Sequence, residues 1–370
     1  MMKAMLKPLS LALFLIAGSA LSTGAMAQKA SKNPPPSAAS RTVQGSTPYA
    51  QRPDAMQFAD DLAVRRDLDP EWVRATLGQA RFLAQVPKLV LPPTQGTAKN
   101  WAAYKSRFVE PIRIRAGVRF WQKNSAALAR AEREYGVPAD IIVGIIGVET
   151  IYGQQMGNFR VIDALATLAF DFPDAHPRAQ ARSEFFRREL EQFLSLVQRN
   201  GTDPFAPRGS YAGAMGLGQF MPSSWARYAV DGNGDGQIDL FGSAEDAIAS
   251  VANYFIAHGW TPGMPTHYAV SFDPAGADMD TLLAPDILPT FSAASMAAKG
   301  AIVQGAGAQH SGPLALVELQ NGDGAPSYVA GTENFYAITR YNWSSYYAMA
   351  VIELGREVAA ARNATLASSR

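Results

Sequence analysis

No cysteine occurs in the 370 residues. That absence removes disulfides, thiolate nucleophiles and cysteine-ligated zinc together, and leaves no thiol near the N-terminus to carry a lipid anchor. Histidine is nearly as scarce. The four residues, at positions 176, 258, 267 and 310, form no His-Glu-x-x-His pair, which argues against a zinc hydrolase. Charge of one sign is missing too: the formal net charge is +1, so no global electrostatic case exists for nucleic acid. There is no Gly-x-Ser-x-Gly elbow, and no Gly-rich stretch ends in the Gly-Lys-Ser/Thr of a phosphate loop. Beyond Leu21 no apolar run is long enough to span a bilayer. What survives is acid–base chemistry by carboxylates.

What is present begins with a targeting signal. A basic Met1–Lys7, an apolar Leu9–Leu21 and Ala25-Met26-Ala27 before Gln28 read as a secretory signal peptide, residues 1–27. The mature chain is therefore expected to be exported and soluble, and periplasmic in a Gram-negative source. Residues 28–53, rich in Ser, Ala and Pro, read as a flexible leader. Order is expected from Asp54, with Phe58, Leu62 and Val64 at roughly helical spacing. Asp69-Pro70-Glu71-Trp72 then supplies an N-cap, a first-turn proline and an acidic first turn. Residues 54–135 form an N-terminal helical region, in which Trp101, Tyr104, Phe108, Phe120 and Trp121 read as core or groove lining.

Tyr135-Gly136-Val137-Pro138 stops one helix and starts the next. That next helix, Ala139-Asp-Ile-Ile-Val-Gly-Ile-Ile-Gly-Val-Glu-Thr-Ile-Tyr-Gly153, is almost wholly apolar and carries Glu149 about three turns in. A helix that is apolar all round is buried. A carboxyl in such surroundings holds its proton more tightly, as a general acid at neutral pH must. A glutamate held by a structural partner fits the same stretch. Arg182–Arg199 reads as an amphipathic helix burying Phe185, Phe186, Leu190, Phe193, Leu194 and Val197. Gly209–Trp225 is dense in glycine, which lets backbone approach a ligand or another element closely.

Asp231-Gly-Asn-Gly-Asp-Gly-Gln-Ile-Asp239 places oxygen side chains at positions 1, 3, 5 and 9, glycine at 6 and Ile238 at 8. That is the opening of an EF-hand calcium loop. Position 12, a bidentate glutamate in the standard loop, is Gly242. The nearest carboxylates are Glu245 and Asp246, so closure needs a longer loop, and a Gly/Asp turn without metal fits as well. Residues 261–332 change character, with a strand at His267–Phe272 and a hairpin turning at Asn321-Gly-Asp-Gly324. They read as a small inserted antiparallel β subdomain. Residues 333–361 close the core with a tyrosine-rich stretch and a helix, and 362–370 form a tail. The expected class is α+β, predominantly α.

These stretches resemble the lytic murein transglycosylase B family. The likeness is carried by Gly147-Val-Glu-Thr-Ile-Tyr-Gly153, Asp163–Phe170, Gly209–Ser224, the calcium loop with Ala247–Tyr254, and Ile338-Thr-Arg-Tyr-Asn342, in that order, over 54–361. The resemblance implies a lysozyme-like catalytic core over 136–260, with an EF-hand-like loop at 231–246. It implies a single catalytic glutamate at Glu149. That residue would first protonate the glycosidic oxygen between N-acetylmuramic acid and N-acetylglucosamine, then take the proton of the C6 hydroxyl that attacks C1. The product would be a 1,6-anhydromuramic end, with no water consumed. By the same resemblance Ser210, Gln219, Tyr341, Asn342 and Tyr347 line the sugar groove. Asp231, Asn233, Asp235, the backbone oxygen of Gln237 and Asp246 hold structural calcium, with Glu245 as the alternative to Asp246. No organic cofactor is implied. The expected partners are peptidoglycan glycan strands and, as a second class, cell-wall synthesis proteins. A lysozyme-like hydrolase and a non-catalytic, calcium-stabilised glycan binder are the competing functions.

Overall fold

The computed structural model describes residues 47–92 and 99–368; the expected signal peptide and residues 28–46 of the expected leader lie outside them. Residues 47–53 correct the leader's boundary. Tyr49 is 2% exposed, its hydroxyl donates to Asp171 at 2.7 Å, and Arg52 pairs with Asp171 at 2.6 Å. Order thus starts ahead of Asp54, because one ring and one guanidinium find partners 120 residues away that local composition cannot announce.

Three helices follow, α1 (Pro53–Arg66), α2 (Pro70–Gly78) and α3 (Val86–Leu89). Phe58 and Leu62 are buried, but Val64 is 84% exposed, since two residues beyond Leu62 the side chain has swung about 200° round the helix. The helical stretch over 101–135 is three elements: α4 (Trp101–Phe108), α5 (Pro111–Lys123) and α6 (Ser125–Tyr135). Pro111 has no amide to give an earlier turn, and Glu110 caps α5 by accepting from the amides of Ile112 (2.7 Å) and Arg113 (2.6 Å).

α6 stops at Gly136, in the left-handed region at φ 65°, and α7 (Ala139–Thr150) starts three residues later. Ten of the twelve residues of α7 are buried, which makes it the central helix of the main core. Burying one of its isoleucines is worth about 1.5–3 kcal/mol. β1 (Phe159–Arg160) pairs with β2 (Arg208–Gly209), and between them α8 (Val161–Phe170) packs on α9 (Ala179–Arg199). On α9, Phe186, Leu190, Phe193, Leu194 and Val197 are buried and Phe185 is half-buried. α10 (Pro222–Tyr228) and α11 (Ala244–Ala257) flank the Asp/Gly loop.

A second, smaller core belongs to the β subdomain. It contains β3 (His267–Phe272), α12 (Met279–Leu283), α13 (Ala293–Ala297), β4 (Ala301–Val303), β5 (Ala315–Asn321) and β6 (Gly324–Gly331). The strands form one antiparallel sheet in the order β4-β3-β6-β5. Leu282, Met296, Val303, Leu314, Leu316 and Ala330 pack beneath it. α14 (Glu333–Tyr341) and α15 (Ser345–Ser368) then return to the main body. α15 crosses α7 almost backbone to backbone. A Cβ on Gly144 would lie 2.3 Å from the Val351 carbonyl oxygen, and one on Gly355 2.2 Å from that of Asp140.

Candidate active site

Glu149 stands on the last turn of α7, and the chain reverses directly after it. Thr150, fully buried, donates its hydroxyl to the Leu217 carbonyl at 2.8 Å and accepts from the Gly153 amide at 3.0 Å. One side chain therefore ties the end of α7 to the glycine-rich loop across the groove. That loop reaches the turn after α7 through Gly157, which has φ 90°; a Cβ there would meet the Gly209 carbonyl at 2.1 Å. Only glycine meets both conditions.

The Glu149 carboxyl is enclosed by phenols. Tyr347, on the first turn of α15, donates its hydroxyl to Glu149 Oε1 at 2.5 Å. The Tyr341 ring lies nearly parallel to that of Tyr347, at 6.5 Å and 13°, and its hydroxyl donates to the Gly218 carbonyl at 2.6 Å. Tyr104, from α4, lies close enough for the Glu149 charge to act on it. Its ring meets Tyr346 edge-on at 5.7 Å, and Trp101 joins the same cluster.

Burial pushes the Glu149 carboxyl up to about 7, with the Tyr347 hydrogen bond pulling the other way. Tyr341 and Tyr347 are driven well above the usual phenol range by burial and by the Glu149 charge, so both stay neutral donors. Among the described residues, no other carboxylate acts on Glu149. The site is thus one carboxyl, poised near neutrality, set among aromatic rings.

The transglycosylase SLT domain family matches residues 50–356. The membrane-bound lytic murein transglycosylase B of Escherichia coli K12 is 42% identical over 322 residues, covering 85% of each chain. The chain belongs to the lytic murein transglycosylase B family. Among solved structures, the soluble lytic transglycosylase SltB1 of Pseudomonas aeruginosa superposes with a TM-score of 0.76 at 39% identity, covering 84% of this chain and all of that one. The Escherichia coli lytic transglycosylase Slt35 in complex with calcium gives 0.74 at 43% identity, covering 85% and 95%. The chain is accordingly a peptidoglycan lytic transglycosylase, an α+β, predominantly helical enzyme with a lysozyme-like core.

In this transglycosylase the expected site residues divide by what their polar atoms do. Glu149, Tyr341 and Tyr347 come together. Asn342, directly after α14, has a buried Oδ1 with no partner among the described residues. Ser210 is occupied within its own loop, and Gln219 is shared between that loop and the turn after α7. Ser210 Oγ accepts from the amides of Ala212 (3.2 Å) and Ala214 (3.0 Å), and Gln219 Nε2 donates to the carbonyls of Met156 and Gly216, each at 3.1 Å. Tyr104, one of the aromatics expected as core or groove lining, lay outside the sugar-groove set implied by the family resemblance, because in sequence it is one more aromatic at helical spacing. Tyr254 was also absent from that set; it props Tyr341 at 4.7 Å and donates its hydroxyl to the Arg340 carbonyl at 2.7 Å.

The Asp/Gly loop is folded by its own carboxylates. Asp231 accepts from the amides of Gly234 (2.7 Å) and Gly236 (2.8 Å). Asp246, 1% exposed, accepts from those of Gly232 (2.9 Å), Asn233 (3.3 Å) and Asp239 (2.8 Å). Glu245 instead pairs with Arg130 at 2.7 Å, so of the two late carboxylates Asp246 points into the loop. Among the described residues no three His, Cys, Asp or Glu side chains gather as a metal-holding group. The donor set of Asp231, Asn233, Asp235, the Gln237 carbonyl and Asp246 is nonetheless all oxygen, which is the chemistry calcium takes.

The Tyr347 hydrogen bond makes one prediction about pH. Tyr347→Phe removes the hydrogen bond that pulls the Glu149 pKa down, so the alkaline limb of the activity profile should move to higher pH. A profile of kcat/KM between pH 5 and 9, roughly spanning the acid's titration, checks this; an unmoved limb would show that this bond does not tune the acid.

Proposed function

We propose that Glu149 serves as both acid and base in cleaving the β-1,4 bond between N-acetylmuramic acid and N-acetylglucosamine. The carboxylic proton passes to the glycosidic oxygen, the C1–O bond breaks, and its electron pair leaves with N-acetylglucosamine. The carboxylate then takes the proton of the C6 hydroxyl, and O6 bonds to C1. The N-acetylmuramic end becomes a 1,6-anhydro sugar and water is not consumed. The carrying observation is a single enclosed carboxyl, held near 7, with no second carboxylate acting on it. Ordinary glycosidases need two.

The two stages ask opposite things of one group, and a value near neutrality serves both. Tyr347 steadies the carboxylate formed after proton donation. Tyr104 and Tyr341 offer the sugars ring faces, with Asn342 next to Tyr341 at the end of α14. Ser210 and Gln219 act on the groove by shaping its loop. The mature chain works in the periplasm on glycan strands, following export by the signal peptide read in residues 1–27. Mass spectrometry of fragments released from murein sacculi tests the reading. Anhydro ends are expected; reducing ends would establish a lysozyme-like hydrolase, and sacculi retained without soluble product would establish a binder.

Calcium is proposed for the loop at Asp231, Asn233, Asp235, the Gln237 carbonyl and Asp246, in a structural role, since Glu149 accounts for the chemistry. Binding to the folded chain alone raises its stability by mass action. Chelator should therefore lower the melting temperature, and millimolar calcium should restore it. Asp246→Ala should abolish that calcium response. A melting temperature indifferent to chelator would remove the metal from the loop.

A further inference from the structure

Ile151 and Tyr152 both hold left-handed backbone, at φ 50° and 56°, immediately after the helix that carries Glu149. Neither belongs to the residue types that visit this region readily, and isoleucine is β-branched, so each is strained there. Something must hold the turn. The Tyr152 ring packs 5.2 Å from Phe120, and its hydroxyl enters a slot between α5 and α7 that two glycines keep open. A Cβ on Gly117 or on Gly147 would lie 2.4 Å from Tyr152 Oη.

The slot supplies no partner for that hydroxyl. Tyr152 Oη is buried and unpaired among the described residues, and so is Nε of Arg113, one helical turn before Gly117 on α5. The rest of the guanidinium is fixed. Its Nη1 donates to the Arg107 carbonyl at 2.5 Å, and it lies over the Phe108 ring at 5.2 Å. The two groups act on each other electrostatically. An unmet buried donor or acceptor is costly, and a water bridging an N–H donor and a phenol oxygen would meet both.

We propose that Tyr152 is a positioning residue for Glu149. Its phenol, pinned between Gly117 and Gly147 and joined through a buried water to Nε of Arg113, locks the left-handed turn that closes α7. This sets the direction in which the Glu149 carboxyl meets the groove. The inference rests on Glu149 being the acid. Its physical weight comes from the sensitivity of proton transfer to placement, where a displacement of about 1 Å costs up to a hundredfold.

Kinetics on soluble glycan strands, run beside melting temperatures, test it with Tyr152→Phe, Arg113→Lys, the double variant and Glu149→Gln. Tyr152→Phe is expected to lower kcat about tenfold with KM and melting temperature near those of the unmutated enzyme. Arg113→Lys, which keeps the charge but lacks Nε, should give a similar loss. The double variant should be no worse than either single one, because both break one link. Gly147→Ala should also lower kcat, and adding Tyr152→Phe should restore part of it, since the removed oxygen is the atom nearest the new methyl. An unchanged kcat in Tyr152→Phe, losses that multiply in the double variant, or no rescue at Gly147 would overturn the proposal. If Glu149→Gln remains active, the acid assignment fails; if it is dead while Tyr152→Phe is unimpaired, only the positioning role fails.

Discussion

Glu149→Gln is expected to cut release of anhydro-ended fragments by roughly a thousandfold or more, the scale of a lost general acid that also serves as base, while raising the melting temperature at pH 8. The two halves have one cause. The carboxyl titrates near 4.5 when unfolded and at about 7 when folded. Between those values the folded chain binds more protons than the unfolded chain, so stability falls as pH rises through the window. Above it the fold carries a buried carboxylate that only Tyr347 partners. Glutamine has the same shape and stays neutral, so it escapes that cost. The stability gain of the variant should be absent near pH 4, grow between 4.5 and 7, and level off above. Thermal melts across pH, read beside fragment release, check it. A variant less stable than the unmutated chain at pH 8 would mean that the carboxylate anchors the fold, the other reading its apolar surroundings allow.

That ambiguity marks how far the sequence reaches. An apolar helix with one carboxylate says that the group is buried, and its α7 context is legible because ten buried positions leave no solvent face. Whether a buried carboxyl is satisfied or poised depends on partners that fold onto it from elsewhere. Tyr347 arrives from 198 residues away and Tyr104 from α4. Tyr341, Asn342 and Tyr347 were implied as groove residues by the family resemblance, within a tyrosine-rich closing stretch. Tyr104 was not, since Trp101, Tyr104 and Phe108 have the spacing of any packed stripe. Ser210 and Gln219 show the opposite limit. Their place in the sugar groove was an expectation from the family resemblance, whereas their amide and hydroxyl engagements follow from backbone turns such as the left-handed φ of 51° at Gln219. The choice between Glu245 and Asp246 was likewise a matter of direction. Adjacent helical residues point about 100° apart, and Ser243 capping α11 through the Asp246 amide at 3.2 Å sends Asp246 inward and Glu245 toward Arg130.

The largest stability effect outside the site is expected at Gly144→Ala. A methyl there would meet the Val351 carbonyl at 2.3 Å, and a backbone oxygen in the middle of α15 cannot swing aside as a side-chain tip can. The helices must separate instead, at roughly 3 kcal/mol for overpacking of this kind. The consequence for function follows from what α15 carries. Tyr346 and Tyr347 sit on its first turn, and the 2.5 Å bond from Tyr347 to Glu149 spans the same α7–α15 crossing. Pushing the helices apart should therefore lengthen that bond and weaken its pull on the Glu149 pKa, which it holds down. Gly144→Ala should accordingly melt several degrees lower and show the same alkaline displacement of the activity profile as Tyr347→Phe, although position 144 lies more than a turn from Glu149. Adding Tyr347→Phe to Gly144→Ala should then move the profile no further. A destabilised Gly144→Ala with an unmoved profile would show that the tyrosine follows α7 through local adjustment, and that the glycine crossing sets stability alone.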